Sequence, residues 1–470
     1  MTTDIKSLLE AHAGRGHELY AKYVNPQLVR VLRTIGFDRK YVRAEGPILF
    51  DSEGNDYLDL LAGYGVFALG RNHPKVIEAI KLALDLSYPN MVQMDAPLAA
   101  GLLAERLLSY MPAGVDTVFF TNSGTESNEG AIKFARKATG RKRIIYWDHA
   151  FHGLTTGSLA MNGGEEFRKG FGELLPGATN IPMGDIEALE KEIKKGDVAA
   201  FIFEPVQGKG VYIAEPSFYT EAEALCKKSG VLMICDEVQT GFGRTGRMFA
   251  HQHWGLKPDI VTVAKALSGG FIPVGAICYR RSIYDKVFTD MEHCVVHSNT
   301  FGRNILAAAA GLATLDAIED EGIVENAARM GTMIMDGVRA MQSKYEMISG
   351  VRGLGLMIGI EFGEPRSLTL RAGWKMVHAL NRSLFPQMIT VPMMKDHRIL
   401  TQVAGHGLDV IKLLPPLCIN ESHVERFLNA FEKVVADCHS FPGSAWKVTK
   451  DLAASSMRAG RASEGDRNGA

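Results

Sequence analysis

No sign of charge is in excess in this 470-residue chain: 52 lysines and arginines stand against 53 aspartates and glutamates, a formal net charge of −1. No basic block is dense enough to alter that balance, so no partnership with nucleic acid or an anionic membrane surface is expected. Cysteine is scarce. The six residues form no Cys-x-x-Cys pair, and several sit in apolar runs as reduced core residues do. No metal site is expected. No uninterrupted apolar run reaches the roughly 18 residues of a membrane helix, and residues 1–6 lack a signal-type apolar region. A cytoplasmic protein is the expectation.

With 46% hydrophobic residues, the chain can bury a full core. Residues 1–74 divide into a helical stretch to about 45, with apolar Leu19, Leu28, Val29, Val31 and Leu32, and a hairpin whose first strand is 48–51 and whose turn is 53–55. In residues 75–320, strand-like runs near 117, 144, 200, 231, 260 and 274 alternate with helical segments near 97, 124, 187 and 218. That order predicts a large α/β domain with a mostly parallel central sheet covered by helices. Residues 321–440, with a helix, a strand near 355–361 and an amphipathic helix from Glu421, read as a smaller α+β domain formed with the chain ends. Residues 441–470 are small and polar, and a disordered tail is expected there.

The most informative single residue is Lys265, which follows the apolar run 260–264 and opens the small-residue stretch 266–270. Burial pushes such an amine toward the neutral, nucleophilic form that condenses with carbonyl compounds. A lone lysine of this kind is most often a structural one that snorkels to the sheet edge. Lys265 is not alone, because the run 231–235 delivers Asp236 to a strand end, where open α/β sheets place ligands. Farther upstream a strand at 116–121 is followed by Asn122, Ser123, Gly124 and Thr125 and then a helix. Free N–H groups and the helix dipole make Ser123, Gly124 and Thr125 a phosphate cup, although ordinary helix capping gives the same pattern. An anion cup, a carboxylate and an amine at successive strand ends match the needs of pyridoxal 5'-phosphate: phosphate, ring nitrogen and aldehyde.

Over roughly residues 25–440 the chain resembles the class III (ornithine and ω-amino type) pyridoxal-phosphate aminotransferases of fold type I. Its most specific stretches are 236–246, 258–260 and 264–270. The resemblance implies that 75–320 is the cofactor-binding domain and that Lys265 condenses with the cofactor and acts as general base and acid. It makes Asp236 the ring-nitrogen partner and Gln239 a contact to the phenolic oxygen, with Gly124 and Thr125 on the phosphate. Phe151 and Val238 would cover the two ring faces, while His152 reads equally as a turn histidine. Thr300 matches a family position whose hydroxyl reaches the phosphate of a neighbouring subunit, which implies a homodimer with shared active sites.

Where relatives that use α-amino acids carry an arginine near the C-terminal Pro415-Pro416, this chain has Lys412. Lysine lacks the planar fork that grips a carboxylate, so a tightly held α-carboxylate is disfavoured; a strand lysine facing solvent is the plain alternative. Glu204 matches the family glutamate that faces this arginine or binds a substrate amine. Tyr64, Phe67 and the soft apolar stretch 385–394 are candidates for a substrate channel, although methionines of this kind are more often core filler. Residues 397–407 look similar to a bacterial subgroup associated with hopanoid lipids and other long-chain metabolites. The expected reaction moves an amino group between an amine donor (an ω-amine, a diamine or a long-chain, aldehyde-derived amine) and a keto acid or aldehyde acceptor. A decarboxylase or aminomutase of the same superfamily, and a non-catalytic binding homologue, are the alternatives.

Overall fold

The computed structural model describes residues 4–440 together with Gly443 and Trp446. The strands in chain order are β1 (Tyr41–Glu45), β2 (Ile48–Asp51), β3 (Asp56–Asp59), β4 (Val115–Thr121), β5 (Arg143–Trp147), β6 (Ala178–Ile181), β7 (Val198–Phe203) and β8 (Leu232–Asp236). There follow β9 (Ile260–Val263), β10 (Gly275–Arg280), β11 (Ile348–Leu354), β12 (Met357–Phe362), β13 (Ile399–Leu400), β14 (Gln402–Val403) and β15 (Val410–Leu413).

Seven of them form the central sheet in the order β4-β10-β9-β8-β7-β5-β6. Its inner strands are buried on both faces: every residue of β7 and β9 is buried, as a parallel sheet sandwiched between helix layers requires. The pairs β9-β8, β8-β7, β7-β5 and β5-β6 are parallel, whereas β10 runs antiparallel to both β9 and β4. The expected mostly parallel α/β sheet is therefore present, with one reversed strand. β6 was not expected, because its four residues Ala178–Ile181 include a single buried apolar side chain.

The helices begin and end where local chemistry dictates. Ser123 caps Gly124–Thr139, whose end passes into left-handed Gly140; Pro216 opens Pro216–Ser229, which ends at left-handed Gly230. Near the N-terminus the helical stretch is three short helices, Ile5–Ala11, Gly16–Tyr23 and Pro26–Ile35, and stops earlier than expected, because β1 already pairs with β2 from Tyr41. β13 joins the N-terminal hairpin in parallel with β3, so the two ends of the chain share one sheet. A third sheet, β11-β12-β15-β14, carries Lys412 on β15.

The stretch considered for a substrate channel instead forms the helix Gln387–Lys395, with Met388, Met393 and Met394 fully buried. Those methionines fill core. Among the described residues no helix is long and apolar enough to cross a membrane. The tail expected at 441–470 lies outside the described residues, apart from Gly443 and Trp446, whose indole donates to the carbonyl of Cys438 at 3.0 Å.

The helix Ile323–Gln342 packs so closely on the β11–β12 turn that a Cβ at Gly331 would run into the carbonyl of Gly355. Gly331→Ala should therefore lower stability by about 1–3 kcal/mol, as overpacking does. Gly101→Ala, on an open helix face with nothing near its Cβ position, should raise stability by about 0.4–1 kcal/mol. Thermal unfolding of the two variants checks both signs.

Candidate active site

The ends of β8, β9 and β4, the last separated from β9 by the reversed β10, supply the groups that matter. At the end of β8, Asp236 is almost fully buried and both of its oxygens are bound. Oδ2 accepts from Asn128 Nδ2 at 2.7 Å and lies 2.8 Å from His152 Nδ1, while Oδ1 accepts from the Val238 amide at 3.0 Å. Asn128 is itself fixed: its Nδ2 also donates to the His152 carbonyl at 2.8 Å, and its Oδ1 accepts from Thr262 Oγ1 at 2.7 Å. The Nε2 atom of His152 is buried without a partner.

At the end of β9 the chain turns sharply into Lys265, whose φ of +45° lies in the left-handed region that a side chain ordinarily avoids. That turn throws the amine into the cavity. Burial lowers its pKa below that of an ordinary lysine; the carboxylates of Asp236 and Glu204 pull the other way, and Arg244 adds to the depression. At the end of β4, Ser123 caps a 16-residue helix by accepting from the Glu126 amide at 3.3 Å. Gly124 is required beside it, because a Cβ there would come within 2.7 Å of Val238 Cγ1. At Gly153, with φ +125°, a Cβ would come still closer, 2.2 Å from Thr125 Oγ1.

The opposite wall holds a second pair of charged groups. Glu204 follows β7 and accepts from the amides of Phe151 at 2.9 Å and Gly208 at 2.8 Å; burial raises its pKa. Lys412 reaches in from β15 and donates to the Gly208 carbonyl at 2.6 Å, with Gln239 Oε1 3.5 Å away. Burial, reinforced by Lys265, drives Lys412 down to about 7. It is therefore a buried lysine rather than one facing solvent. Gln239 is steadied by donating from Nε2 to the Tyr64 carbonyl at 3.1 Å.

One cavity of about 950 Å³ thus collects the cup Ser123, Gly124 and Thr125, the aromatic Phe151, Asp236 with Val238 and Gln239, and Lys265. Tyr64, Glu204 and Lys412 line it as well. Two expected residues are not on its wall. Phe67 packs behind it, with its ring under the Arg71 guanidinium at 4.1 Å and against Gly270 of the cavity wall, where a Cβ would meet it at 2.6 Å. Phe67 is packing rather than channel lining. Thr300 is exposed, outside the cavity of its own chain.

Asn128 escaped sequence reasoning, since an asparagine inside a helix carries no sign of which strand end it will meet. The apolar outer wall, with Leu154, Phe167, Phe271, Ile272, Val403 and Ala404, comes from four distant segments and was equally hidden. Behind Asp236, the ligand atoms of Cys235, Glu237 and His251 lie within 4.8 Å of one another. Both Glu237 oxygens are taken up there by protein donors: Thr240 Oγ1, and the amides of Ala250 and His251 at 3.0 and 2.8 Å. That cluster is a hydrogen-bonded core.

The chain superposes on the crystal structure of the ornithine aminotransferase from Toxoplasma gondii with a TM-score of 0.79 and 26% identity, covering 93% of this chain and 99% of that one. The architecture is that of the pyridoxal-phosphate transferases of fold type I. It is 40% identical over 433 residues to the putrescine aminotransferase of Pectobacterium atrosepticum, 88% of this chain and 87% of that relative. It is 33% identical over 454 residues to the aminotransferase PigE of Serratia sp., 90% of this chain and 53% of that relative, so it spans about half of PigE. Residues 34–435 match the aminotransferase class-III family, and the chain belongs to that family. Its cofactor is pyridoxal 5'-phosphate.

The depressed pKa of Lys412 has a thermodynamic consequence. Between about pH 7 and the ordinary lysine value of 10.5, the unfolded chain binds the proton that the folded chain has shed, so stability rises with pH across that window. Lys412→Met should remove that slope and stabilise the fold most below about pH 7, by roughly 3–5 kcal/mol before the lost Gly208 hydrogen bond is subtracted. Denaturant unfolding of both proteins at pH 6 and pH 10 measures the difference; parallel pH profiles would contradict the burial of a titrating amine.

Proposed function

We propose that the chain is a pyridoxal-phosphate-dependent aminotransferase that takes the amino group of a terminal primary amine and passes it to a keto acid or aldehyde in a ping-pong cycle. The observation that carries this reading is the convergence of a pKa-lowered lysine, a doubly anchored carboxylate and a helix N-terminus on one cavity. The cofactor fits these groups. Its phosphate would meet the first turn of a 16-residue helix at Ser123, Gly124 and Thr125, where glycine at 124 lets that turn pack against Val238 and glycine at 153 lets the chain pass close to Thr125.

The bound ring supplies the sink for the electrons left when a carbon–hydrogen bond is broken. Asp236 would partner the ring nitrogen and favour its protonated form; Asn128, His152 and the Val238 amide keep the carboxylate from turning away. Lys265, on the cavity wall, would be the residue that holds the cofactor through its aldehyde. Its amine, favoured in the unprotonated form by the lowered pKa, would serve as the base that takes the proton from the substrate's amine-bearing carbon. Phe151, Val238 and Gln239 line the same cavity, where the first two would cover the ring faces and Gln239 would meet the phenolic oxygen.

Thr300 serves the phosphate of a second copy in a homodimer. That assignment is supported by its exposure outside its own cavity and by the exposed apolar Met291, Val295 and Phe301 around it. Six unpaired cysteines support a reducing, cytoplasmic location. For the substrate, Lys412 spends its amine on the Gly208 carbonyl and offers no planar fork, which argues against a gripped α-carboxylate. Glu204, with one amide on each oxygen, has lone pairs left for an ammonium. The apolar outer wall suits a donor with a long apolar body, and the Pectobacterium relative, named for putrescine, supports an amine donor.

Lys265→Ala should leave the cofactor removable after borohydride treatment and abolish turnover; retained turnover would overturn the assignment. Asp236→Asn should stay folded yet raise the proton-transfer barrier by about 3–5 kcal/mol. Mixing cofactor-loaded enzyme with single amines of graded length and carboxylation, without acceptor, should bleach the cofactor band once and yield a carbonyl product. Release of carbon dioxide instead would mark a decarboxylase.

A further inference from the structure

Phe151 owes its backbone position to its amide, which donates to Glu204 at 2.9 Å, and to the flanking bond from the His152 amide to Asn162 Oδ1, also 2.9 Å. Neither bond fixes the ring. Its aromatic neighbour is Phe167, edge to face at 5.3 Å and 71°. Phe167 sits on a single helical turn, Glu165–Arg168, within a stretch that has glycine at 163, 164, 170 and 172. Gly170 and Gly172 both have positive φ and nothing within 4 Å of a built Cβ, so the stretch does little to hold itself in place.

What holds that turn comes from elsewhere. Arg168 donates to the Tyr146 hydroxyl at 3.1 Å, and Glu166 pairs with Lys209, from the loop after β7. The Lys209 amine also lies 5.9 Å from the centre of the Phe167 ring. Its stem runs so close over Gly405 that a Cβ there would meet Lys209 Cγ at 2.7 Å. The pair is sheltered, with side-chain exposures of 13% for Lys209 and 33% for Glu166, so it is screened less than a surface pair. Burial pushes the Glu166 carboxyl up, but its bond to Lys209, with His406 contributing, leaves it below the ordinary value.

We propose that Phe167, clamped by the Lys209–Glu166 pair, is a positioning residue that holds the Phe151 ring in the plane needed to stack on the cofactor; this rests on the role given to Phe151 above. The clamp joins three segments, 165–168, the loop at 209 and the stretch at 405, and transmits their placement to the ring wall. An aromatic edge contact contributes enough to change cofactor retention by roughly two- to twelvefold.

The test follows cofactor release from the holoenzyme during dialysis, together with the circular dichroism of the cofactor band. Phe151→Ala, Phe167→Ala and Lys209→Met should each speed release by about two- to twelvefold and weaken the band. The Phe151→Ala/Phe167→Ala double variant should release little faster than Phe151→Ala alone, and Lys209→Arg should restore wild-type behaviour. Fast release from Phe151→Ala combined with wild-type release from Phe167→Ala and Lys209→Met would overturn the clamp. Wild-type release from Phe151→Ala itself would overturn the stacking role on which the clamp depends.

Discussion

Asp236 is the group around which the rest of the site is arranged. A carboxylate at the end of a strand buried on both faces must have each oxygen met by a donor, since an unmet buried charge is among the most costly features a fold can carry. Asn128, His152 and the Val238 amide meet that demand, and each comes from a different element. The helix Gly124–Thr139, the turn after β5 and the turn after β8 are therefore held to one another through this carboxylate. The same three elements carry the phosphate cup, the aromatic wall and the opposite ring cover.

Two lysines share the cavity and differ in what their amines face. Lys265 stands on a strained left-handed turn, is opposed by Asp236 and Glu204, and aims into open space. Lys412 rises from a regular strand of another sheet and donates to a backbone carbonyl. The first arrangement leaves a nucleophile available for chemistry, while the second ties up an amine whose remaining influence on a substrate is a point charge. Local backbone strain and hydrogen-bond commitment, more than burial alone, separate the reactive lysine from the one that shapes the pocket.

Much of this was legible in the chain itself. The largely apolar runs that became β7, β8 and β9 announced core strands, and the polar residue closing such a run was bound to lie at a sheet edge; Asp236 and Lys265 were found that way. Ser123 and its small neighbours were legible because helix starts follow short-range capping rules. β10 was legible as a strand but not as a reversed one, since direction depends on which neighbours it meets. Phe67 misled because its aromatic character and nearness to Tyr64 in sequence said nothing of Arg71 and Gly270, between which its ring packs. The methionines of Gln387–Lys395 were open to two readings until packing buried them.

The sequence by itself determined the alternation of strands and helices, the residue closing each core strand and the chemical types brought to the sheet edge, because hydrophobic periodicity and capping act over a few residues. Only the tertiary structure decided that Asn128 and His152 would anchor Asp236, that Lys412 would bind Gly208, and that Phe167 would meet Phe151. Those pairings join segments from about 16 to 200 residues apart. They are selected by the shape of the assembled core and by the need to satisfy buried polar groups, and neither exists until the distant elements have packed.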